Sequence, residues 1–137
     1  MGELTTQDAL LLAAPRLCPE IRLFRRNVGA ARALHGGQVV RYGIKGQCDL
    51  VGYVRGGRVI EIELKAKGGR LSAEQKVWAE FCHSWGVPHV VLWPLAGESV
   101  DQTVARWCAE LLAVSTKGDE AMREMFHPLL PKNDAGA

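Results

Sequence analysis

The sequence predicts an α/β fold, a mixed central β-sheet flanked by helices. Three observations carry that expectation. Residues 58–66, RVIEIELKA, alternate apolar and polar side chains with the period of a half-buried strand; Trp78, Phe81, Cys82 and Trp85 then recur at helical spacing; and the short apolar run HVVLW follows at 89–93. Strand, helix and strand in that order imply a right-handed crossover between two parallel strands, whereas strands joined by short turns run antiparallel.

Taken in order, TTQDALLLAA at 5–14 is expected to form a helix capped by Thr5 or Thr6, with Pro15 just past its end. EIRLFRRNVG sets Ile21 and Leu23 against Arg22 and Phe24 and reads as a strand, which runs into the Gly- and Ala-rich loop NVGAARALHGG. QVVRYG is a further short strand. CDLVGYV and RVIEIELKA form a hairpin joined at Gly56 and Gly57. Ser72 with Gln75 matches a capping box for the next helix, which Gly86 and Pro88 stop. Pro94 ends the strand after it. Ser99 caps a last helix whose Val100, Val104, Trp107, Cys108, Leu111 and Leu112 form one apolar face up to about Gly118. The result is an αβββαβ core in a single domain over 1–118. A tail over 119–137 holds one helical stretch, AMREMF, and a frayed end.

Composition excludes several classes. A chain of 137 residues supports one compact core. Its N-terminus has no basic region and only six apolar residues in a row, so neither a signal peptide nor a membrane span is expected and a cytoplasmic protein is. Cys18, Cys48, Cys82 and Cys108 lack CxxC spacing and read as reduced, buried thiols. The formal net charge is only +2, but residues 21–70 hold eleven Lys or Arg against three acids, and the remainder six against twelve. Such asymmetry suits a polyanionic partner; a solvated basic surface is the plainer reading.

Asp49, Glu63 and Lys65 lie on the two strands of the hairpin. Two neighbouring carboxylates repel one another unless a cation bridges them. Oxygen ligands favour Mg2+, which accepts one or two carboxylates and phosphate oxygens together. An ammonium at Lys65 then offsets charge that develops on a phosphate under attack, the kind of interaction worth roughly 3 to 4 kcal/mol. Register decides whether this group exists. A two-residue turn puts Asp49 opposite Leu64, on the apolar face; a three-residue loop or a bulge brings it opposite Glu63 or Lys65, which is the register expected here. The competing reading is a surface ladder of cross-strand charges. Gln75 serves either the capping box or the site, and Glu61 is a supporting or solvated group.

The runs RLFRRNVGAAR and RYGIKGQCDLVGYVRGGRVIEIELKAKGGRLSAEQKVW resemble a VRR-NUC domain, a branch of the PD-(D/E)XK nuclease superfamily common in phages, over roughly residues 20–93. The resemblance implies a restriction-endonuclease-like fold and a metal-dependent nuclease using Mg2+ or Mn2+. It makes Asp49, Glu63 and the Leu64 backbone carbonyl the metal ligands, with Lys65 and Gln75 beside them. An acid in the first helix completes the site in the family, and Glu3 is the nearest candidate, ahead of Asp8 and Glu20. This chain has Cys48 where the family usually has Pro. Stand-alone members resemble Holliday junction resolvases, which implies a homodimer acting on branched DNA. The alternative is a catalytically silent DNA-binding module of the same fold.

Arg25, Arg26 and Asn27 suit a phosphate backbone, since guanidinium forks match phosphate oxygens, and Arg41, Tyr42 and Lys45 come next. Trp78, Phe81, Trp85 and Trp107 are spaced as core residues rather than base-stacking platforms. No histidine has metal-ligand spacing; His35, in the basic loop, is the one of interest.

Overall fold

The computed structural model describes residues 5–33 and 36–126, of which 117–126 are described by their backbone alone. Helix α1 (Thr6–Leu17) leads into strands β1 (Ile21–Arg25), β2 (Gly29–Arg32), β3 (Val39–Tyr42), β4 (Leu50–Val54) and β5 (Arg58–Leu64). Helix α2 (Ala73–Ser84), strand β6 (His89–Leu92) and helix α3 (Val100–Phe126) follow. The main sheet has the order β1-β4-β5-β6, with β5 and β6 parallel and the other pairs antiparallel. This is the mixed sheet, with the β5-α2-β6 crossover, that the change of period at residue 70 predicts.

One face of the sheet carries the core. Ile21, Leu50, Ile60, Ile62 and Leu92 pack against Leu10 and Ala14 of α1 and Val104, Trp107 and Leu111 of α3. Burying each large side chain contributes about 1.5–3 kcal/mol, so this layer is the main source of stability. All four cysteines are free and buried. No helix among the described residues is long and apolar enough to cross a membrane.

Several elements depart from expectation. Thr5 caps α1, and its hydroxyl accepts from the Asp8 amide, but the helix continues through Pro15 to Leu17 because Ala14 and Cys18 both belong to the core. A proline in the last turn gives up one hydrogen bond, and burial of the flanking residues offsets it. The loop after β1 forms strand β2, which pairs with β3 as a separate two-stranded ribbon. Helix α3 runs unbroken past Gly118 to Phe126, so the expected boundary at 118 falls inside a helix. Strand β5 ends at Leu64, which leaves Ala66 exposed rather than in the core.

The second face of the sheet is where alternation misleads most. Glu61 and Glu63 are 5% and 3% exposed, because α2 crosses over them. Helix α2 in turn shows solvent the aromatics expected inside. Phe81 is 46% and Trp85 74% exposed; Phe81 stacks on Trp78 and meets Trp85 at a tilt, whereas Trp107 is buried as predicted. Val100, at the start of α3, is also exposed.

Candidate active site

The hairpin takes the shifted register. Leu50 pairs with Ile62 and Val54 with Arg58, leaving Arg55, Gly56 and Gly57 as a three-residue loop. Gly56 and Gly57 have φ of 102° and 100°, a conformation that side chains other than glycine rarely adopt. Continued by one step, the register puts Asp49 opposite Glu63. The Asp49 Oδ2 accepts a 2.9 Å hydrogen bond from the Leu64 amide, which draws its carboxylate over the end of β5. Its backbone carbonyl accepts from the Arg26 amide at 2.9 Å, tying the start of β4 to the end of β1.

Glu63 is held by α2. Its Oε1 accepts from Gln75 Nε2 at 2.8 Å and lies 3.7 Å from the Lys65 ammonium. Lys65 Nζ donates to Gln75 Oε1 at 2.6 Å, and the same oxygen accepts from the Ser72 amide at 2.8 Å. Gln75 therefore fills both roles open to it, closing the capping box of α2 and joining Glu63 to Lys65. One carboxylate oxygen, Glu63 Oε2, is buried and receives no hydrogen bond. An acceptor of that kind costs about 1–3 kcal/mol, more when charged. Burial first, then the charge of Asp49, pushes the Glu63 carboxyl up to about 7, and Lys65 opposes them only in part. Two carboxylates at the end of one strand pair, one with a bare oxygen, make a donor set that suits a hard divalent cation.

Among the described residues no group of three or more His, Cys, Asp or Glu is placed to hold a metal ion. Asp49 and Glu63 would have to share a cation with backbone oxygen, such as the Leu64 carbonyl, and with water or phosphate. Glu3 and His35 lie outside the described residues. Asp8 is engaged by Arg25 and by the Thr5 hydroxyl, and Glu20 bonds Arg55 at 3.0 Å at the hairpin end of the sheet, away from Asp49. Glu20 is therefore not placed to complete the site, and Asp8 forms no three-acid metal group with Asp49 and Glu63.

The approach of α2 depends on Gly46. A Cβ there would lie 2.3 Å from the Glu74 carbonyl oxygen, and its φ of +96° is unfavourable for other residues. Gly46→Ala is expected to cost about 2 kcal/mol or more and to shift Gln75 off Glu63. Chemical denaturation with a lowered midpoint and an unchanged m-value would check it.

The expected phosphate-contacting residues are divided by the structure. Arg41, Tyr42 and Asn27 are exposed, and Lys45, exposed as well, pairs with Glu74 at 3.2 Å beside Gln75. Arg25 is ion-paired with Asp8. Arg26 is turned inward: it pairs with buried Glu61 and lies 5.9 Å over the Trp78 ring, its side chain only 20% exposed. That geometry makes Arg26 a strut between β1, β5 and α2 rather than a free phosphate ligand. Sequence reasoning missed this because an Arg beside a Gly-Ala loop and a Glu on an alternating strand each read as solvated. Cys48 is fully buried, and burial with the nearby Glu61 and Glu63 charges pushes its thiol far above the usual range. It is an inert packing residue.

Comparison of the chain with protein-family models, curated proteins and solved structures finds no match.

Proposed function

We propose that the chain is a metal-dependent DNA endonuclease with a restriction-endonuclease-like core of the VRR-NUC type, hydrolysing phosphodiester bonds in branched or otherwise structured DNA. The observation that carries this reading is the bare, buried Glu63 Oε2 next to the Asp49 carboxylate, with Lys65 and Gln75 fixed beside them. A surface ladder of charges would be solvated and would leave no orphaned oxygen. A bound Mg2+ or Mn2+ would supply Lewis-acid polarisation of the phosphate and a water acidic enough to attack it. This chain's residues do the rest. Asp49 and Glu63 place negative charge where the cation is needed, Gln75 keeps Glu63 and Lys65 in register, and Lys65 offsets charge that builds on the phosphate oxygens.

The same reading takes the protein to act in the cytoplasm, with its thiols reduced, as a homodimer whose two sites cut two strands. The exposed Val77 and Phe81 on α2, with Trp85 at its C-cap, are an apolar surface such a pair can cover. Sedimentation is expected to give twice the chain mass.

The test is a cleavage screen on a four-way junction, a flap, a nick and plain duplex, with and without Mn2+. Wild type is expected to cut at least one of them only with the cation. Lys65→Ala is expected to lose about 10²–10³-fold in rate while keeping DNA affinity. Folded wild-type protein that binds every substrate and cuts none would replace the enzyme with a DNA-binding module.

A further inference from the structure

The ribbon β2–β3 stands apart from the rest of the surface. All eight of its strand residues are exposed, although four are Ala or Val and one is Tyr. Pairing of Gly29 with Tyr42 and Ala31 with Val40 gives it one small, apolar face; pairing of Ala30 with Arg41 and Arg32 with Val39 gives the other face two arginines. The close fit of Gly29 under the Tyr42 ring, where a Cβ would come 3.1 Å from the hydroxyl, agrees with that division. Neither Arg32 nor Arg41 has an ion-pair partner among the described residues, unlike Arg25, Arg26, Arg55 and Arg106. At the ribbon's base a cleft of about 210 Å³ is lined by Arg41, Tyr42 and Lys45 among others.

The ribbon is also anchored at the site. Its first strand begins at Gly29, three residues after Arg26, whose amide bonds the Asp49 carbonyl, and its second ends at Tyr42, just before Gly43, where a Cβ would meet the Asn27 carbonyl at 2.9 Å. Gly46 and Asp49 follow at once. Two paired strands lie about 4.8 Å apart, so the ribbon with its side chains matches the roughly 12 Å width of the DNA major groove and is too wide for the roughly 6 Å minor groove. Arg32 and Arg41 sit on different strands, two residue steps or about 7 Å apart along the ribbon, far enough apart to meet two different phosphates.

We infer that the β2–β3 ribbon is a duplex-binding arm that lies in the major groove beside the cleavage site, with Arg32 and Arg41 on phosphates. The inference rests on the nuclease reading for its location and adds the substrate class: DNA with a double-stranded arm next to the scissile phosphate. The groove contact needs no base readout, because free guanidinium groups facing phosphates position the protein without reading sequence.

The test uses the full chain in Ca2+ or EDTA, with fluorescence anisotropy on a 20-base-pair duplex and on a single strand of the same length. Arg32→Ala with Arg41→Ala is expected to weaken duplex binding at least about tenfold and to lower the salt slope by about two, one for each phosphate contact. Single-strand binding and the melting temperature are expected to stay as in wild type, and Arg32→Lys with Arg41→Lys to keep most of the affinity. Equal losses on both DNAs, no loss on duplex, or conversion of a dimer to monomer would overturn the arm. Cleavage, measured separately in Mn2+, keeps the two readings apart: a variant that binds and cuts duplex like wild type refutes the arm alone, and duplex binding that needs the ribbon in a protein that never cuts refutes the enzyme alone.

Discussion

Glu63→Gln is expected to abolish the proposed cation-dependent cleavage, by at least about 10³-fold, and at the same time to stabilise the metal-free protein above neutral pH. The two effects have one cause. In the absence of a cation, Glu63 is buried beside Asp49 with one oxygen unsatisfied, and its carboxyl is pushed up to about 7. A carboxyl raised on folding favours the native state while it is protonated. That contribution is complete below the unfolded value near 4.5 and is lost as pH rises through about 7. The metal-free wild type should therefore lose stability across this window. Glutamine keeps the shape and does not titrate, so the variant should be the more stable by about 1–3 kcal/mol at pH 8 and level with wild type near pH 4.5. Urea denaturation across the pH series in EDTA checks the sign. A variant less stable than wild type at pH 8 would mean that Glu63 is an ordinary structural partner of Gln75 and Lys65.

Arg26→Ala has the largest expected effect on folding, about 3–5 kcal/mol, because it leaves Glu61 charged, buried and unpaired. Loss of the contact with the Trp78 ring adds about 0.5–1 kcal/mol. Arg26→Met combined with Glu61→Leu should recover most of the loss, since an apolar pair carries no stranded charge. The strut also braces the site: the Arg26 backbone holds Asp49, its side chain holds the strand that carries Glu63, and Trp78 is one turn from Gln75. Were Arg26 a phosphate ligand instead, Arg26→Ala would leave the urea midpoint unchanged and weaken DNA binding alone.

How much of this was legible in the sequence depends on what each residue reports. Local rules worked where local forces decide. The Ser72 and Gln75 capping box, the Gly56–Gly57 turn and the α2–β6 crossover all come from short-range chemistry, and the three-residue loop then brings Asp49 and Glu63 together. Burial was less legible on the second face of the sheet. Alternation along β5 marks Glu61 and Glu63 as outward from the core, but it cannot show that α2 lies over them. For the same reason the helical spacing of Trp78, Phe81 and Trp85 shows a common face without showing whether anything covers it. Strand β2 was missed because Gly29, Ala30 and Ala31 carry no β-branched or aromatic signal; its pairing with Val39 to Tyr42 supplies the order instead. Gly118 suggested a stop that the helix does not make, since a single glycine costs only about 1 kcal/mol in a helix.

The central claim is that Asp49 and Glu63 form a divalent-cation site, and thermal melting at pH 8 with and without 10 mM Mn2+ tests it most directly. A cation bound only by the native state, with a dissociation constant near 1 mM, raises stability by about 1.4 kcal/mol, or a melting temperature by about 3 °C or more in a domain of this size. The account predicts that rise in wild type and its absence in Glu63→Gln. An equal rise in both proteins, or none in wild type, would contradict it.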